Sequence, residues 1–352
     1  GLWNVQNLER IHTFKTHPIG IMSVAISPNR QILASGDAGC SMLRLWDINN
    51  NKCLRELQAH KNRIWSVAFS PNGDLIASGS EDCTVSFWDV SNGSHINTLG
   101  EHYGPVWTIA FSPDGRLFAS GGVDRVIRLW DVTNAHNPQF LNSFERHQDW
   151  FWAVVFSPDS RYLACGSADG TIQLWDMESG KWLTTLWSSK GVIRSAAFSP
   201  DGKMLASGSD DGKARLWNLS NYECLNVFPD YESRIRSVAF NPNGQILASS
   251  SEDGKTRLWD LKSFQCLRVL HEHDGPVFDV AFYPDKQQFI SGSGDGTVKL
   301  WDTESDHSIK TFRTPRIYEG TNITNATGLT PAQKKSLFVL GAIDDVTIDL
   351  DV

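Results

Sequence analysis

The stretch IWSVAFSPNGDLIASGSEDCTVSFWD, residues 64 to 89, decides the fold, because apolar side chains alternate with small or polar ones on both sides of two turns. Ser70–Gly73 predicts the first turn, and Glu81-Asp82 predicts the second. A period of two places alternate side chains on one face of a strand. The unit is therefore predicted to be an antiparallel meander with strands at Ile64–Phe69, Leu75–Ser80, Thr84–Trp88 and His95–Leu99.

A tryptophan followed by Asp or Asn ends the third strand of this unit and recurs at steps of 43, 42, 42, 45, 42, 42 and 42 residues. Seven units contain the first three strands in full, so neighbouring units can bury their apolar faces against one another around a ring. The markers are Trp3, Trp46, Trp88, Trp130, Trp175, Trp217, Trp259 and Trp301.

This period with this dipeptide resembles the WD-repeat β-propeller family. The resemblance implies an all-β, seven-bladed propeller over residues 16–312. Residues 1–15 supply only the last two strands of a unit, which predicts a preceding domain of the same polypeptide. Residues 313–352 leave the repeat and are expected to form a tail, with a short helix over Ala332–Leu340 capped by Thr330.

Two segments compete to be the outer strand of the last blade. They are Ile11–Phe14 and His307–Phe312, and only one of them can pair there. We favour His307–Phe312, because its short connection to Trp301 makes an ordinary hairpin. The final stretch, Val346–Val352, alternates apolar and acidic residues and is expected to be an added edge strand or a loose tail.

Composition limits the possible partners and the compartment. Lys and Arg number 32 against 40 Asp and Glu, a net charge of −8 without a basic stripe, which disfavours nucleic acid. No apolar run reaches the length of a membrane helix, so a soluble chain with no membrane partner is expected. Three of the six cysteines, Cys53, Cys224 and Cys266, occupy one repeat position and should lie far apart. The pattern favours a reduced, cytoplasmic compartment, with no metal or other cofactor.

A His, a Ser, an Asp and the marker Trp recur as a set in three units. Each set alone resembles a hydrolase triad, but a nucleophile would not be repeated around a ring, and no nucleophile elbow accompanies it. The family resemblance implies a hydrogen-bonded tetrad in each blade, in which Asp accepts from His and the backbone and Ser bridges toward the indole N–H. The sets are His60, Ser78, Asp82, Trp88; His102, Ser120, Asp124, Trp130; and His273, Ser291, Asp295, Trp301.

The tetrad pattern weakens in the other units. Cys165 replaces the Ser in the fourth unit, and Ser189 and Tyr231 replace the His in the fifth and sixth. The first unit has no clear Asp at the turn. These blades are expected to be less rigid.

Aromatic and arginine side chains recur at the start of the first strand. The residue 23 before the marker is Trp, Arg or Phe in six units, and Met22 is equivalent after one insertion. The residue two positions earlier is Arg63, Trp150 or Arg234 in three units, and strand alternation turns the side chains at both positions away from the core. In the resembled family the innermost strand begins here, on a top face that commonly docks partners. The alternative is that these rings cap the joints between blades, but arginines are difficult to place in a core. The expected binding face is Met22, Arg63, Trp65, Trp107, Trp150, Trp152, Arg194, Arg234, Arg236 and Phe278.

The charges of this face suggest the kind of partner. The four arginines should favour the acidic and aromatic or apolar groups of a protein or peptide segment. An acidic rim that selects among such partners is expected at Glu81, Asp210 and Glu252.

The tail carries a narrower resemblance. Tyr318–Leu337, closing on Leu340-Gly-Ala342, looks like the terminus of cyanobacterial WD-repeat proteins that carry the propeller behind an NB-ARC-type nucleotide-binding switch domain. This implies that the chain is the sensor end of a signalling ATPase of the STAND class. The sequence contains no Walker motif.

Three functions from different classes remain open: a binding and sensing module, an enzyme that uses the channel, and a structural spacer. A channel enzyme needs converging acids, bases or metal ligands. The first strands offer mostly Ser, Ala and Val, as in Ser66–Ala68 and Ser195–Ala197. The top-face Trp and Arg residues argue against a mere spacer, so we favour the binding module.

Overall fold

Four consecutive strands follow one another in each repeat, as the alternation of side chains predicts. The computed structural model describes residues 2–3, 10–12, 20–39, 41–145, 149–187, 191–229, 233–284, 286–313, 330, 333, 334 and 337. The first two strands, β1 (Leu2–Trp3) and β2 (Arg10–His12), form a two-stranded sheet. The other strands form seven antiparallel sheets of four strands each, numbered here as blades 1 to 7.

The strands of blades 1 to 3 are β3 (Ile21–Ile26), β4 (Ile32–Asp37), β5 (Met42–Asp47), β6 (Lys52–Gln58), β7 (Ile64–Phe69), β8 (Leu75–Ser80), β9 (Val85–Asp89), β10 (His95–Leu99), β11 (Val106–Phe111), β12 (Leu117–Gly122), β13 (Ile127–Asp131) and β14 (Gln139–Phe144). The strands of blades 4 to 7 are β15 (Phe151–Phe156), β16 (Tyr162–Ser167), β17 (Thr171–Asp176), β18 (Lys181–Trp187), β19 (Ile193–Phe198), β20 (Met204–Ser209), β21 (Lys213–Asn218), β22 (Cys224–Pro229), β23 (Ile235–Phe240), β24 (Ile246–Ser251), β25 (Thr256–Asp260), β26 (Cys266–Leu270), β27 (Val277–Phe282), β28 (Gln288–Ser293), β29 (Thr297–Asp302) and β30 (Lys310–Arg313).

The first strand of every blade lies innermost and contacts the first strand of the next blade. The series β3, β7, β11, β15, β19, β23, β27 returns to β3, so the ring is closed around a central channel. The predicted seven-bladed propeller is confirmed. We call the end of the ring at which the innermost strands begin the top face.

The hydrophobic core lies between the blades. At the joint of blades 1 and 2, Leu45 packs with Ile64 and Ile76, all fully buried. Neighbouring sheets approach so closely that a Cβ added to Gly208 would lie 2.6 Å from Cγ2 of Ile235 in the next blade. This contact explains the Ser-Gly-Ser pattern at the end of the second strand.

The last blade closes on the first. β30 is the outer strand of blade 7, which confirms the choice of the segment after Trp301, with bounds Lys310–Arg313. Phe312 of this strand and Ile290 pack with Ile21 of blade 1 in one buried cluster. The Lys310 Nζ donates to the backbone oxygen of Ile48 at 2.8 Å. The predicted boundaries at residues 15 and 312 stay predictions.

Side chains of the innermost strands also join the blades by hydrogen bonds across the channel wall. The backbone N–H of Val154 donates to Thr108 Oγ1 at 2.9 Å, one blade earlier. At the closing joint the acceptor is a carboxylate, because the N–H of Val24 donates to Asp279 Oδ2 at 2.9 Å. Asp279 also accepts from Ser23 Oγ at 3.0 Å and from Ser237 Oγ at 2.9 Å. One side chain therefore links blades 6, 7 and 1.

The chain divides into two compact units, Gly1–Phe312 and Arg313–Val352. In the second unit, Gln333, Lys334 and Leu337 are helical. Thr330 caps them as predicted, since the Gln333 N–H donates to Thr330 Oγ1 at 3.3 Å and the Thr330 N–H donates to Gln333 Oε1 at 2.8 Å.

Several sequence-based expectations lie wholly or mostly outside the described residues. The expected edge strand or tail at Val346–Val352 is one, and so is most of the tail resemblance at Tyr318–Leu337. The replacements at Ser189 and Tyr231 are two more. In the part of the chain that is described, no helix is long and apolar enough to cross a membrane.

Replacing Asp279 by Leu is expected to destabilise the ring. Ser23, Val24 and Ser237 would lose their shared acceptor, and a buried polar group left unsatisfied costs about 1–3 kcal/mol. Urea unfolding would measure the loss. Asp279→Asn retains one acceptor oxygen and should lose less. Equal stability of Asp279→Leu and the unchanged protein would contradict the role of Asp279 at the joint.

Candidate functional site

The tetrads join two loops and two strands within a blade. In blade 3, His102 Nδ1 lies 3.0 Å from Asp124 Oδ2 and its Nε2 lies 2.8 Å from Ser120 Oγ, which also accepts from Trp130 Nε1–H at 3.4 Å. In blade 7 the corresponding three distances are 2.9, 2.8 and 2.8 Å. The serine oxygen therefore serves both the imidazole and the indole. Ser120 is fully buried, so this arrangement gives no substrate access to its hydroxyl.

Blade 2 departs from the expected tetrad. His60 Nε2 lies 2.8 Å from Ser78 Oγ, and His60 Nδ1 lies 3.1 Å from Asp82 Oδ2. Among the described residues, however, the buried Trp88 Nε1 has no hydrogen-bond partner. The expected hydrogen bond from the Trp88 indole to Ser78 is therefore wrong. In blade 2, His60, Ser78 and Asp82 form a triad that does not include the indole.

Arginine replaces histidine where the pattern weakens. In blade 5, Arg215 Nη2 lies 2.6 Å from Asp211 Oδ2, and in blade 6 Arg257 Nη2 lies 2.8 Å from Asp253 Oδ2. In blade 1, buried Asp37 pairs with Arg44 at 2.6 Å. The turn carboxylates thus keep a cation as partner. In blades 5 and 6 the sequence signal for this pairing is an arginine four residues after the turn Asp, whereas in blade 1 Arg44 stands seven residues after Asp37.

The tetrad carboxyl groups are held ionised. Burial alone would raise the pKa of Asp124, but the hydrogen bonds and charges of His102 and Arg128 outweigh burial and hold it at about 2. The pKa values of Asp82 and Asp295 are likewise well below the ordinary value, since hydrogen bonds from a histidine and a threonine outweigh burial.

Side chains from all seven blades meet at the top of the channel. Trp107 and Trp152 stack with ring centroids 3.7 Å apart, and the Arg194 guanidinium lies 3.8 Å from the centroid of Trp152. Trp65 meets Trp152 edge to face at 6.0 Å. The Arg236 guanidinium lies 5.5 Å from the ring centroid of Phe278. We call Met22, Trp65, Trp107, Trp152, Arg194, Arg236 and Phe278 the channel mouth.

The channel mouth is not the exposed ring that the sequence predicted. Its seven residues are half-buried against one another, because equivalent positions converge on a narrow axis. The residues that are exposed lie further out, at Arg63, Trp150 and Arg234. The mouth encloses a cavity of about 230 Å³.

Exposed aromatic residues gather in one sector of the top face. Tyr103 is 93% exposed in the loop before β11, Trp150 is 41% exposed before β15, and Trp187 is 78% exposed at the top end of β18. Trp150 meets Trp107 edge to face at 5.5 Å, which connects this sector to the channel mouth. The sequence did not indicate Tyr103, because it lies outside the repeated offset.

The arginines of the top face have carboxylate partners. Arg194 Nε and Nη2 donate to Asp210 at 2.8 and 2.7 Å, and Arg236 Nη2 donates to Glu252. The exposed Arg63 lies 3.8 Å from Glu81, and Arg234 lies 3.9 Å from Glu252. The expected acidic rim of Glu81, Asp210 and Glu252 is therefore engaged by the arginines. Four arginines and three carboxylates leave a net charge of only +1.

A carboxylate lies at the floor of the mouth. Asp279 lines the same cavity, where burial raises the pKa of its carboxyl group although four donors bond to it. Asp279 departs from the expectation that the channel-lining strands offer mostly Ser, Ala and Val. The signal was available, since equivalent positions in the other blades hold Ser, Thr or Ala.

Comparison with known protein families identifies the class of this chain. The family described as WD domain, G-beta repeat matches residues 8–47 and 51–89. The family described as IFT122 first beta-propeller matches residues 81–314, more than half of the chain. The chain belongs to this family of WD-repeat β-propellers, a class that typically serves as protein-interaction modules. No curated protein matches the chain.

Asp82→Ala is expected to destabilise blade 2. It removes the acceptor of His60 and of the Lys61 N–H, and an unsatisfied buried group costs about 1–3 kcal/mol. Thermal melting would measure the change. The control is Asp74→Ala, because Asp74 is exposed and its carboxylate accepts from the exposed Asn72 Nδ2 at 2.9 Å. Similar melting temperatures for the two variants would refute a structural role for Asp82.

Acid is expected to weaken the ring through the same carboxylates. The folded pKa of Asp124 is about 2, below its ordinary value of 3.8, so the unfolded chain binds more protons. Stability is thus present above the unfolded value and is lost as the pH falls through 3.8 towards 2. In urea unfolding between these values, Asp124→Asn should lower the pH slope by up to about 1.4 kcal/mol per pH unit. An unchanged slope would show that Asp124 does not carry this dependence.

Proposed function

We propose that this propeller is a protein-interaction module that holds a protein or peptide segment on its top face. The observation that carries the proposal is the presence of three exposed aromatic residues at the top of blades 3 and 4, Tyr103, Trp150 and Trp187, of which Trp150 contacts Trp107 of the channel mouth. Large amphipathic side chains gathered on a rigid surface are typical of interface hot spots. The partner lies over blades 3 to 5 and reaches the mouth through Trp150 and Trp107.

Charge supports a protein rather than a nucleic acid as the partner. Nucleic-acid binding needs arginines that are free to neutralise phosphates. On this face the arginines bond to Asp210, Glu252 and Glu81, and the overall charge is −8. The surface therefore favours apolar contacts with few charges.

We propose binding rather than catalysis for this chain. The three Ser–His–Asp sets stand in equivalent structural places, and their serines, Ser78, Ser120 and Ser291, are fully buried. Among the described residues, no group of three or more His, Cys, Asp or Glu could hold a metal ion. These observations favour a scaffold over an enzyme.

The wider role is proposed on sequence alone. The resemblance of Tyr318–Leu337 supports a propeller that acts as the sensor of a larger signalling NTPase. In that role, a ligand on the top face would control the switch domain of the same polypeptide. The five cysteines among the described residues form no disulfide bonds, which supports a reducing compartment such as the cytoplasm.

Trp150→Ala is expected to weaken partner capture by about thirtyfold, since truncating a hot-spot tryptophan commonly costs about 2 kcal/mol or more. The immobilised chain would first recover its partner from the source organism. Titration of that partner against each variant then measures the affinity.

The matched control is Trp182→Ala. Trp182 is the same residue type in the same blade and is 40% exposed against 41% for Trp150, but it lies near the start of β18, at the end away from the top face. Loss of affinity at Trp150 alone supports the top face. Equal affinity of both variants would reject it.

A further inference from the structure

Two residues that line the cavity in the channel mouth carry hydrogen-bond donors without acceptors among the described residues. Trp65 Nε1 and Arg236 Nε are both buried, and neither has a partner among the described residues. Both residues line the same cavity of about 230 Å³. A buried donor without an acceptor costs free energy comparable to a lost hydrogen bond, so each such group in a folded protein calls for an explanation.

The charged form of Arg236 is destabilised at this cavity. Burial and the neighbouring charge of Arg194 lower the pKa of Arg236, even though Glu252 and Asp210 act in the opposite direction. Burial is the largest of these effects, and the charge of Arg194 adds to it. A negatively charged acceptor placed in the cavity would stabilise the charged form of Arg236.

The cavity limits the charge and size of that acceptor. Asp279 at the floor would repel a group with two negative charges, so a phosphate is disfavoured relative to a carboxylate. A carboxylate has two oxygens and about four acceptor positions, enough for both donors. A volume of about 230 Å³ has room for one acidic side chain.

We propose that the channel mouth receives one carboxylate side chain, Glu or Asp, of the partner, which accepts hydrogen bonds from Trp65 Nε1–H and Arg236 Nε–H. This inference rests on the proposed function, because it names the anchoring residue of the segment held on the top face. Apolar residues that flank the acidic side chain contact Trp150 and Tyr103. The partner segment is thus an acidic residue set among apolar ones.

The test uses a small probe in place of the unidentified partner. N-acetyl-glutamate methylamide is titrated into the complete chain, and the signal of the Trp65 indole N–H is followed by nuclear magnetic resonance. We expect a saturable downfield shift of that signal. N-acetyl-glutamine methylamide, the neutral isostere, should bind at least about tenfold more weakly, because hydrogen bonds to an ionised acceptor are roughly twice as strong. Inorganic phosphate should bind more weakly than the glutamate probe.

Variants separate the two donors from the general charge of the face. Trp65→Phe keeps an aromatic ring but removes the donor, and Arg236→Gln removes the guanidinium. Each should weaken binding of the glutamate probe by about tenfold, read from the remaining indole signals. Arg63→Gln is the matched control, since Arg63 lies on the same face outside the cavity and should leave binding unchanged.

The outcomes distinguish this inference from the proposed function. Equal binding of the glutamate and glutamine probes, tighter binding of phosphate, or no effect of Trp65→Phe in a folded variant would overturn the carboxylate site. Loss of partner capture in Trp150→Ala could still stand in any of those cases. If the probe binds as expected while Trp150→Ala captures the partner normally, the mouth site stands and the wider docking face does not.

Discussion

Each blade has two apolar faces, and a four-stranded sheet cannot bury both of them by itself. This requirement governs the rest of the structure, because it is met only when every blade has a neighbour on each side. The last blade must therefore pack on the first, as Ile290 and Phe312 pack on Ile21. Small residues such as Gly208 allow this close approach, and the innermost strands are brought together around a narrow axis.

In a closed ring of repeats, the position of a side chain within its repeat indicates its role. Side chains that stabilise the blades recur with the repeat, as the tetrads of His102 and His273 do. Side chains at the channel mouth come from equivalent positions but differ in chemistry from blade to blade, from Trp65 to Arg236. A sevenfold scaffold thus carries an asymmetric surface, with aromatic residues over blades 2 to 4 and arginines over blades 5 and 6. Selective recognition needs this kind of asymmetry.

The sequence was sufficient for the strands, the number of blades and the strand that closes the ring, because period and turn chemistry are local properties. Contacts between distant units could not be predicted in the same way from the sequence. The marker spacing placed Trp107 and Trp152 at one level but could not show that the axis is narrow enough for them to stack. The position of Asp279, which bonds to residues of blades 6 and 1, depends on the same convergence. Among the described residues, the Trp88 indole N–H has no hydrogen-bond acceptor, and this depends on a local side-chain geometry that no spacing specifies.

The joint between blades 7 and 1 differs from the other six in one respect. Adjacent blades elsewhere are connected by the chain itself, whereas this joint is held by side-chain packing, by Asp279 and by Lys310. Mechanical tension applied between β3 and β30 acts on this joint directly. A force on β30 separates this edge strand from its sheet first. The ring therefore opens progressively, beginning at the joint between blades 7 and 1.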